Sequence, residues 1–274
     1  MNSIGHFWKH GDETRNDINE GIGETLSAAD FAAQYGFDFR DDFGENIILP
    51  IMNRPEAIKY VHIICFLLHR YDPSKREVER IDNRMKNFGR YAVRVHNLEA
   101  FNSRIFEKMQ ENGQYGLMGP VDYHDLTEKS PYRDCFDKNS QHSFEQEWRF
   151  AVIPDYEKAK ELAASKPEEL YDEYHIFSIG DIRSFVDEID VDKIFKEPER
   201  YYRTKNGQKY TPVDKLSITP EEQQKIFDDF HKKTGLPLPY DANPYQYVGW
   251  GGREAFRNKV LQMDGRFKPL IVIG

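Results

Sequence analysis

The chain has few of the features that mark exported, disulfide-bonded or metal-binding proteins. Only two of its 274 residues are cysteines, Cys65 and Cys135, and they do not form a C-x-x-C pair. No disulfide framework or zinc site can be recognised, and Cys65, within an apolar run, is expected to be a small core residue. The histidines show no H-E-x-x-H spacing, so no metal site is expected. This cysteine usage fits a reducing cytoplasm.

Long apolar runs and an excess of basic residues are also missing. The longest apolar run, residues 63–68, is far shorter than the roughly 18 residues of a membrane-spanning helix. The N-terminal residues lack the pattern of a signal peptide, so no membrane partner is expected. The net charge is −9, which repels the nucleic-acid backbone, and unspecific DNA binding is therefore not expected either.

Aromatic residues are plentiful and predict a folded chain with a sizeable core. They make up 14% of the sequence, beside 31% charged residues that can cover the surface. The mixture of strand-like and helix-like segments predicts an α+β fold, with a mixed or split β-sheet core and flanking helices. A change in composition near Pro198 suggests two units: a main domain over residues 1–200 and a smaller C-terminal α/β extension over 201–274, packed on it.

Apolar periodicity and Gly, Pro and capping signals predict the individual elements. Strands are predicted at residues 47–51, 60–68, 91–96, 119–124, 144–153, 174–179 and 269–273. Helices are predicted at residues 27–35, 73–88, 97–111, 156–165, 219–234 and 253–262. The strand 60–68 is apolar enough to be buried on both faces.

The most informative segment is the predicted strand that begins at residue 144. Alternation places Glu145, Glu147 and Arg149 on one face and the aromatic residues on the other. Two carboxylates this close raise one another's pKa unless a cation offsets them. Carboxylates beside a sugar can stabilise the oxocarbenium-like transition state of glycosidic bond cleavage. A solvated strand face gives the same pattern, and the segment alone favours that structural explanation.

Beyond this segment, the sequence resembles an uncharacterised bacterial domain family whose signature is a lysine followed by E-x-E-W-R on a strand. Here the lysine is Lys138 and the motif is residues 145–149. Short blocks at 64–66, 88–93, 121–123 and 179–182 resemble the family's Cys-Phe-Ser strand, glycine block, Val-x-Tyr motif and later glycine turn, in the same order. The resemblance covers about residues 55–190 and depends mainly on E-x-E-W-R and the order of the blocks.

That layout is similar in turn to the ADP-ribosyltransferase superfamily, which carries Glu-x-Glu or Gln-x-Glu on a late strand. The resemblance implies that Glu147 binds the ribose of the nicotinamide half of NAD and favours its departure. It also implies that Glu145 positions an acceptor, and Arg149 is expected to help bind the nucleotide. NAD is thus the expected substrate of a transferase acting in bacterial or phage conflict. The acceptor is not indicated.

A departure from the superfamily pattern weighs against activity. Leu67 stands where a hydroxyl residue is expected on a middle strand, and the nearest hydroxyls are Tyr71 and Ser74. The alternative function is therefore a non-catalytic module of the same fold that binds a nucleotide or a protein. The superfamily also has an Arg or His on an early strand. The candidates for it, among which the sequence does not decide, are His6, His10 and Arg40.

A basic stripe is the second candidate binding feature. Arg76, Arg80 and Arg84 recur at helical spacing on the predicted helix 73–88. Such a stripe can hold a diphosphate, so Arg80 and Arg84 are expected to contact the phosphates of NAD. Acidic residues between them make a self-paired, solvated helix face the favoured alternative.

Overall fold

The computed structural model describes residues 1–9, 21–36, 51–68, 71–72, 77–78, 81–95, 98–130, 133–165, 175–176, 178–184, 186–196, 248–249, 252–263 and 267–271. Its strands are β1 (Asn2–Ser3), β2 (Glu24–Leu26), β3 (Ile51–Pro55), β4 (His62–Leu67), β5 (Tyr71–Asp72), β6 (Glu77–Val78), β7 (Tyr91–Val95), β8 (Tyr115–Pro120), β9 (Asp122–His124), β10 (Asp137–Asn139), β11 (Glu147–Ile153), β12 (Val186–Asp190), β13 (Val248–Gly249) and β14 (Phe267–Ile271). The α-helices are α1 (Ile4–Lys9), α2 (Ala28–Tyr35), α3 (Leu98–Glu111), α4 (Tyr156–Ser165), α5 (Val191–Lys196) and α6 (Gly252–Met263), and 3-10 helices cover Glu56–Tyr60, Asn83–Phe88 and Ser140–Glu145. The predicted α+β class is confirmed.

The strand that carries the E-x-E-W-R motif lies at the centre of an antiparallel sheet. The strand order of this sheet is β1, β4, β11, β8, β13. In its register Glu147 lies opposite Leu67 of β4, and Arg149 lies between Cys65 of β4 and Gly119 of β8. Residues that pair across an antiparallel sheet share a face, so the side chain of Glu147 neighbours that of Leu67, and the side chain of Arg149 neighbours that of Cys65.

Both faces of β11 are covered, which explains why all seven of its residues are buried. On one face Ala151 and Ile153 belong to a core that includes residues of the 3-10 helix Glu56–Tyr60, α4 and α6. On the other face Trp148, Phe150 and Val152 pack against α3. Each large apolar side chain buried in this way contributes about 2 kcal/mol to stability.

Several predicted helices form because local signals and apolar spacing agree. In α3 the buried residues Phe101, Ile105 and Met109 recur every four positions and face β11. In α2 the Ser27 side chain accepts a hydrogen bond from the N–H of Asp30, and Gly36 ends the helix with a φ of 68°. Helices α3, α4 and α6 also confirm the predictions for residues 97–111, 156–165 and 253–262.

The predicted helix 73–88 is wrong. Residues 77–78 form β6, which pairs with β5, and a 3-10 helix occupies Asn83–Phe88. The Asp82 side chain accepts a hydrogen bond from the N–H of Arg84 and so caps the N-terminus of this separate 3-10 helix. Val78, Ile81, Met85 and Phe88 recur at helical spacing, but no residue of Asn83–Phe88 is buried, so packing does not favour one continuous helix.

The predicted strand 144–153 is correct only from Glu147 onwards. Residues 140–145 form a 3-10 helix, which the Asn139 side chain caps by accepting from the N–H of Gln141. Gln146 then adopts a left-handed backbone with a φ of 43°. The sequence had indicated that Glu145 and Glu147 are alternate residues of one strand. In the structure only Glu147 lies on the strand, and Glu145 ends the preceding 3-10 helix.

Other strand predictions need correction. The second half of β4 is not buried on both faces, and Cys65 is exposed, which contradicts its expected place in the core. The predicted strand 119–124 divides between β8 and β9, and β9 pairs in parallel with β10. The described residues 175–176 and 178–179 are not in a strand, while β12 pairs with β7.

The described C-terminal strands join sheets that begin in the N-terminal half. β13 pairs with β8, and β14, near the predicted strand 269–273, pairs with β3. The predicted strand 47–51 overlaps the described residues only at Ile51, and the predicted helix 219–234 lies outside them. Within the described segments no helix is long and apolar enough to cross a membrane.

Candidate functional site

A tight turn brings the two glutamates of the motif to one lysine. Strand β10 leads directly into the 3-10 helix Ser140–Glu145, and the left-handed Gln146 reverses the chain before β11. As a result Lys138 Nζ lies 2.6 Å from Glu145 Oε2 and 2.7 Å from Glu147 Oε1. All three side chains are buried. We call these residues, together with Arg149, the glutamate cluster.

Arg149 supplies the second cation of the glutamate cluster. Its Nη2 lies 2.5 Å from Glu147 Oε2, and its Nη1 donates to the carbonyl oxygen of Cys135. The arginine side chain is fully buried. Glu147 therefore lies between two cations, one on each carboxylate oxygen, in surroundings where charge interactions are strong.

These cations decide the protonation state of Glu147. Burial by itself raises the pKa of the carboxyl group, but the charges of Arg149 and Lys138 outweigh burial and hold the pKa well below its ordinary value. Glu147 is thus an anion at neutral pH, although little of it contacts water. An ionised carboxylate in dry surroundings is a strong stabiliser of nearby positive charge.

Glu145 has a second partner of a different kind. The Nδ1 of His142 lies 3.0 Å from Glu145 Oε1, within the same 3-10 helix. The His142 side chain is partly exposed, whereas that of Glu145 is buried. Glu145 is therefore the carboxylate of the pair that is linked through a titratable group to the surface.

Tyr123 adds a hydroxyl group beside Glu147. Its Oη accepts a hydrogen bond of 2.8 Å from the backbone N–H of Glu147. Burial, followed by the charge of Glu147, raises the pKa of Tyr123, so the phenol remains protonated. The residue falls in the Val-x-Tyr block of residues 121–123, but the sequence did not indicate its role. Its place follows from the pairing of β9 with β10, which sets Tyr123 opposite Lys138.

Arg84 is the described residue of the basic stripe that lies near the cluster. Its guanidinium lies 3.6 Å from the centre of the Phe144 ring, next to Glu145 in sequence, and pairs with Asp82 at 2.8 Å. The hydrogen bond to Asp82 raises the pKa of Arg84, and the charge of Glu145 adds a smaller contribution in the same direction. Arg76 and Arg80 lie outside the described residues, so Arg84 alone can be placed.

The remaining sequence candidates divide into placed and unplaced residues. Leu67 lies opposite Glu147 on β4, so the expected hydroxyl is missing at that position. His6 lies on α1, and its backbone N–H donates to the Ser3 side chain. Among the described residues Tyr71 is placed only as part of β5. Three candidates lie outside the described residues: His10, Arg40 and Ser74.

Comparison of the chain with family models, with curated proteins and with solved structures finds no match. The resemblance to the E-x-E-W-R family stays a prediction.

The glutamate cluster can act in two ways. Its ionised carboxylate can stabilise positive charge that develops on a sugar ring, and a carboxylate can accept about four hydrogen bonds, of which two are described for the Glu147 side chain. The same contacts also form a closed ion network with only 5% of Glu145 and 6% of Glu147 exposed. A ligand can therefore reach Glu147 only if Lys138 or a neighbouring side chain moves.

Proposed function

We propose that the chain is an ADP-ribosyltransferase-like protein that binds NAD and cleaves its nicotinamide–ribose bond. In this reaction the bond between C1′ of the ribose and the pyridinium nitrogen breaks, and the electron pair leaves with nicotinamide. The ribosyl cation that develops is captured by an acceptor nucleophile, or by water, which loses a proton. Such an activity suits a factor in conflict between bacteria and phages.

The main support is the position of Glu147 at the start of the central strand, where it is buried between Lys138 and Arg149. A buried ion network is seldom the most stable way to fill a core, since well-packed apolar residues often do as well or better. Residues held at such a cost are typical of functional sites. Glu147 is the carboxylate best placed to stabilise the positive ribose ring, because Lys138 and Arg149 keep it ionised and movement of Lys138 would free its Oε1 for the ring.

The neighbours of Glu147 have distinct roles in this proposal. Glu145, linked to the surface through His142, accepts the proton of the acceptor or positions it. Arg84 provides an exposed positive charge for the diphosphate of NAD, as its place beside Phe144 allows. Tyr123 supplies the hydroxyl that the sequence lacks at Leu67 and keeps the backbone of Glu147 in position.

The alternative is a non-catalytic module of the same fold, and a specific observation favours it. Each described carboxylate oxygen of the pair already has a partner: Lys138 for one oxygen of each glutamate, Arg149 for the other oxygen of Glu147 and His142 for that of Glu145. A network satisfied to this degree can simply fix the turn at Gln146. In that case the nucleotide or protein partner binds elsewhere.

The two functions are separated by incubating the purified chain with NAD and measuring released nicotinamide by chromatography, with NAD binding measured by calorimetry. The proposal expects slow release by the wild type and at least about a hundredfold less by Glu147→Gln, because the charge that stabilises the transition state is lost. Glu24→Gln is the matched control. Glu24 is also buried, but it lies on β2 and bonds to Tyr35 and Asn53.

A folded Glu147→Gln protein, checked by its melting curve and circular dichroism, is required for this comparison. Equal loss of nicotinamide release in both variants would mean that activity follows stability and would remove Glu147 from the mechanism. If the wild type neither releases nicotinamide nor binds NAD, the enzyme is excluded and the non-catalytic module remains.

A further inference from the structure

The strands β9 and β10 carry a second polar cluster on the side opposite the glutamate cluster. Side chains alternate along a strand, so Tyr123 and Lys138 point one way and their neighbours in sequence point the other. On that second side lie Asp122, His124 and Asp137. Their donor atoms all lie within 4.8 Å of one another.

The arrangement of these donors is set by an arginine from α6. Arg253 Nη1 lies 2.7 Å from Asp122 Oδ2, and its Nη2 contacts Asp137 Oδ2. Its Nε and Nη2 each lie 2.9 Å from an oxygen of Asp134. Arg253 thus forms an ion pair with the Oδ2 atom of both Asp122 and Asp137. The other oxygen of Asp137 lies 3.0 Å from His124 Nε2.

We propose that Asp122, His124 and Asp137 form a binding site for one divalent transition-metal ion of the Zn²⁺ or Mn²⁺ type. An imidazole with two carboxylates is a donor set that these ions accept, whereas Mg²⁺ and Ca²⁺ prefer oxygen alone. Adjacent ligands of an ion that binds at about 2.1 Å lie on the order of 3 Å apart, as the His124 nitrogen and Asp137 oxygen do.

Charge and access also favour this site. The carboxylates of Asp122, Asp134 and Asp137 contact Arg253, and Asp137 also interacts with the charge of Arg133. Three carboxylates against these two guanidinium groups leave an excess of negative charge that favours a cation. Asp137 is buried, which gives a fixed inner ligand, while Asp122 and His124 are exposed and leave a path for the ion. Arg253 orients two of the ligands from behind, as outer-shell partners of metal sites do.

The ion would bind in an exchangeable manner, because three protein ligands leave coordination positions for water or for a substrate group. The inference is independent of the proposed NAD chemistry, since the glutamate cluster lies on the other side of β9 and β10. No metal site is expected from the sequence, because the spacing of Asp122, His124 and Asp137 matches no metal-binding motif.

The test is calorimetric titration of the full chain, after treatment with EDTA, with ZnCl2 and separately with MnCl2 and MgCl2. The expected result is one site per chain for Zn²⁺ or Mn²⁺, with weaker or no binding of Mg²⁺. His124→Ala and Asp122→Asn should each weaken binding at least about tenfold. Both residues are exposed, so these variants are expected to fold. The melting temperature of the wild type should rise with the ion, and those of the variants should not.

His142→Ala and Asp181→Asn are the matched controls. His142 also pairs with a carboxylate, and Asp181 is an exposed aspartate bound to an arginine. Both controls should bind the ion as the wild type does. The proposal is overturned if neither Zn²⁺ nor Mn²⁺ binds, or if binding survives unchanged in His124→Ala or in Asp122→Asn.

Discussion

Lys138 Nζ lies 2.7 Å from Glu147 Oε1, although nine positions separate the two residues in the chain. The same nitrogen lies 2.6 Å from Glu145 Oε2, so one buried ammonium group joins both glutamates. Without the shared ammonium group, two neighbouring carboxylates would repel each other strongly. Lys138 is therefore the residue on which the geometry of the glutamate cluster depends most directly.

Replacement of this lysine should be costly. Lys138→Met leaves two buried carboxylates with less positive charge, and we expect the free energy of unfolding to fall by about 3–5 kcal/mol. Urea denaturation monitored by circular dichroism measures the loss. Lys129→Met is the control, because Lys129 pairs with Asp30 on the surface and should leave the midpoint unchanged. Equal midpoints for both variants would contradict the role given to Lys138.

A double substitution tests whether the loss comes from uncompensated charge. Adding Glu145→Gln to Lys138→Met removes one of the two stranded carboxylates, so part of the lost stability should return. The coupling between the two positions should amount to about 1–3 kcal/mol in a double-mutant cycle. Additive losses from the two substitutions would show instead that Lys138 acts through packing of its side chain.

The pH dependence of stability should carry the signature of Glu147. Arg149 and Lys138 lower its pKa in the folded state despite burial, which acts in the opposite direction. A lowered pKa contributes stability that is complete above the unfolded-state pKa of about 4.3 and is lost as the pH falls through the folded-state pKa. The groups that face Glu147 include Glu145 and Tyr123 as well as the two cations.

The measurement is the difference in unfolding free energy between wild type and Glu147→Gln from pH 7 to pH 2. We expect a constant difference from pH 7 to about 5, followed by a decrease as the pH falls below about 4. A difference that grows on acidification would mean that burial dominates, that the pKa of Glu147 is raised and that the cluster holds a proton.

Arg84 and Arg183 form a natural matched pair for testing nucleotide binding. Each is an exposed arginine that binds the aspartate two positions before it, Asp82 or Asp181. Only Arg84 lies against Phe144, beside the glutamate cluster. Arg84→Ala should weaken binding of ADP-ribose and reduce its dependence on salt, without changing the melting temperature.

Calorimetry with ADP-ribose at two salt concentrations measures this effect, and Arg183→Ala should match the wild type at both. If Arg84→Ala and the wild type bind ADP-ribose with the same affinity at low salt, Arg84 is not part of the binding site.

Gln146 should be a position where function and stability conflict. A non-glycine residue with a φ of 43° is strained, and this residue separates the two glutamates. Gln146→Gly should relieve the strain and raise the free energy of unfolding by up to about 1 kcal/mol, less the entropy that glycine loses. Gln141→Gly, in the preceding 3-10 helix, should instead lower stability. Thermal melts of both variants decide whether the turn stores strain.

The sequence predicted the elements that local signals specify. Helix α3 has its apolar residues at helical spacing, and α2 has a capping serine and a terminal glycine. From Glu147 onwards β11 alternates, with Trp148, Phe150 and Val152 on one face. The predicted helix 73–88 failed because its residues have no partner surface to be buried against: no residue of Asn83–Phe88 is buried. The strand 60–68 was expected to be fully buried, but apolar composition does not show which sheet positions stay open, as the exposed Cys65 demonstrates.

For the site, the sequence by itself determined which groups are available: the two carboxylates, Arg149 and Lys138 stand in one recognisable motif. It did not determine how they meet. A capped turn and the left-handed Gln146 replace the predicted strand and bring both glutamates to Lys138. Tyr123 and the Asp122–His124–Asp137 group depend on the pairing of β9 with β10, and the latter also on Arg253, more than a hundred residues away. Such contacts have no local signal, because folding of the whole chain selects them.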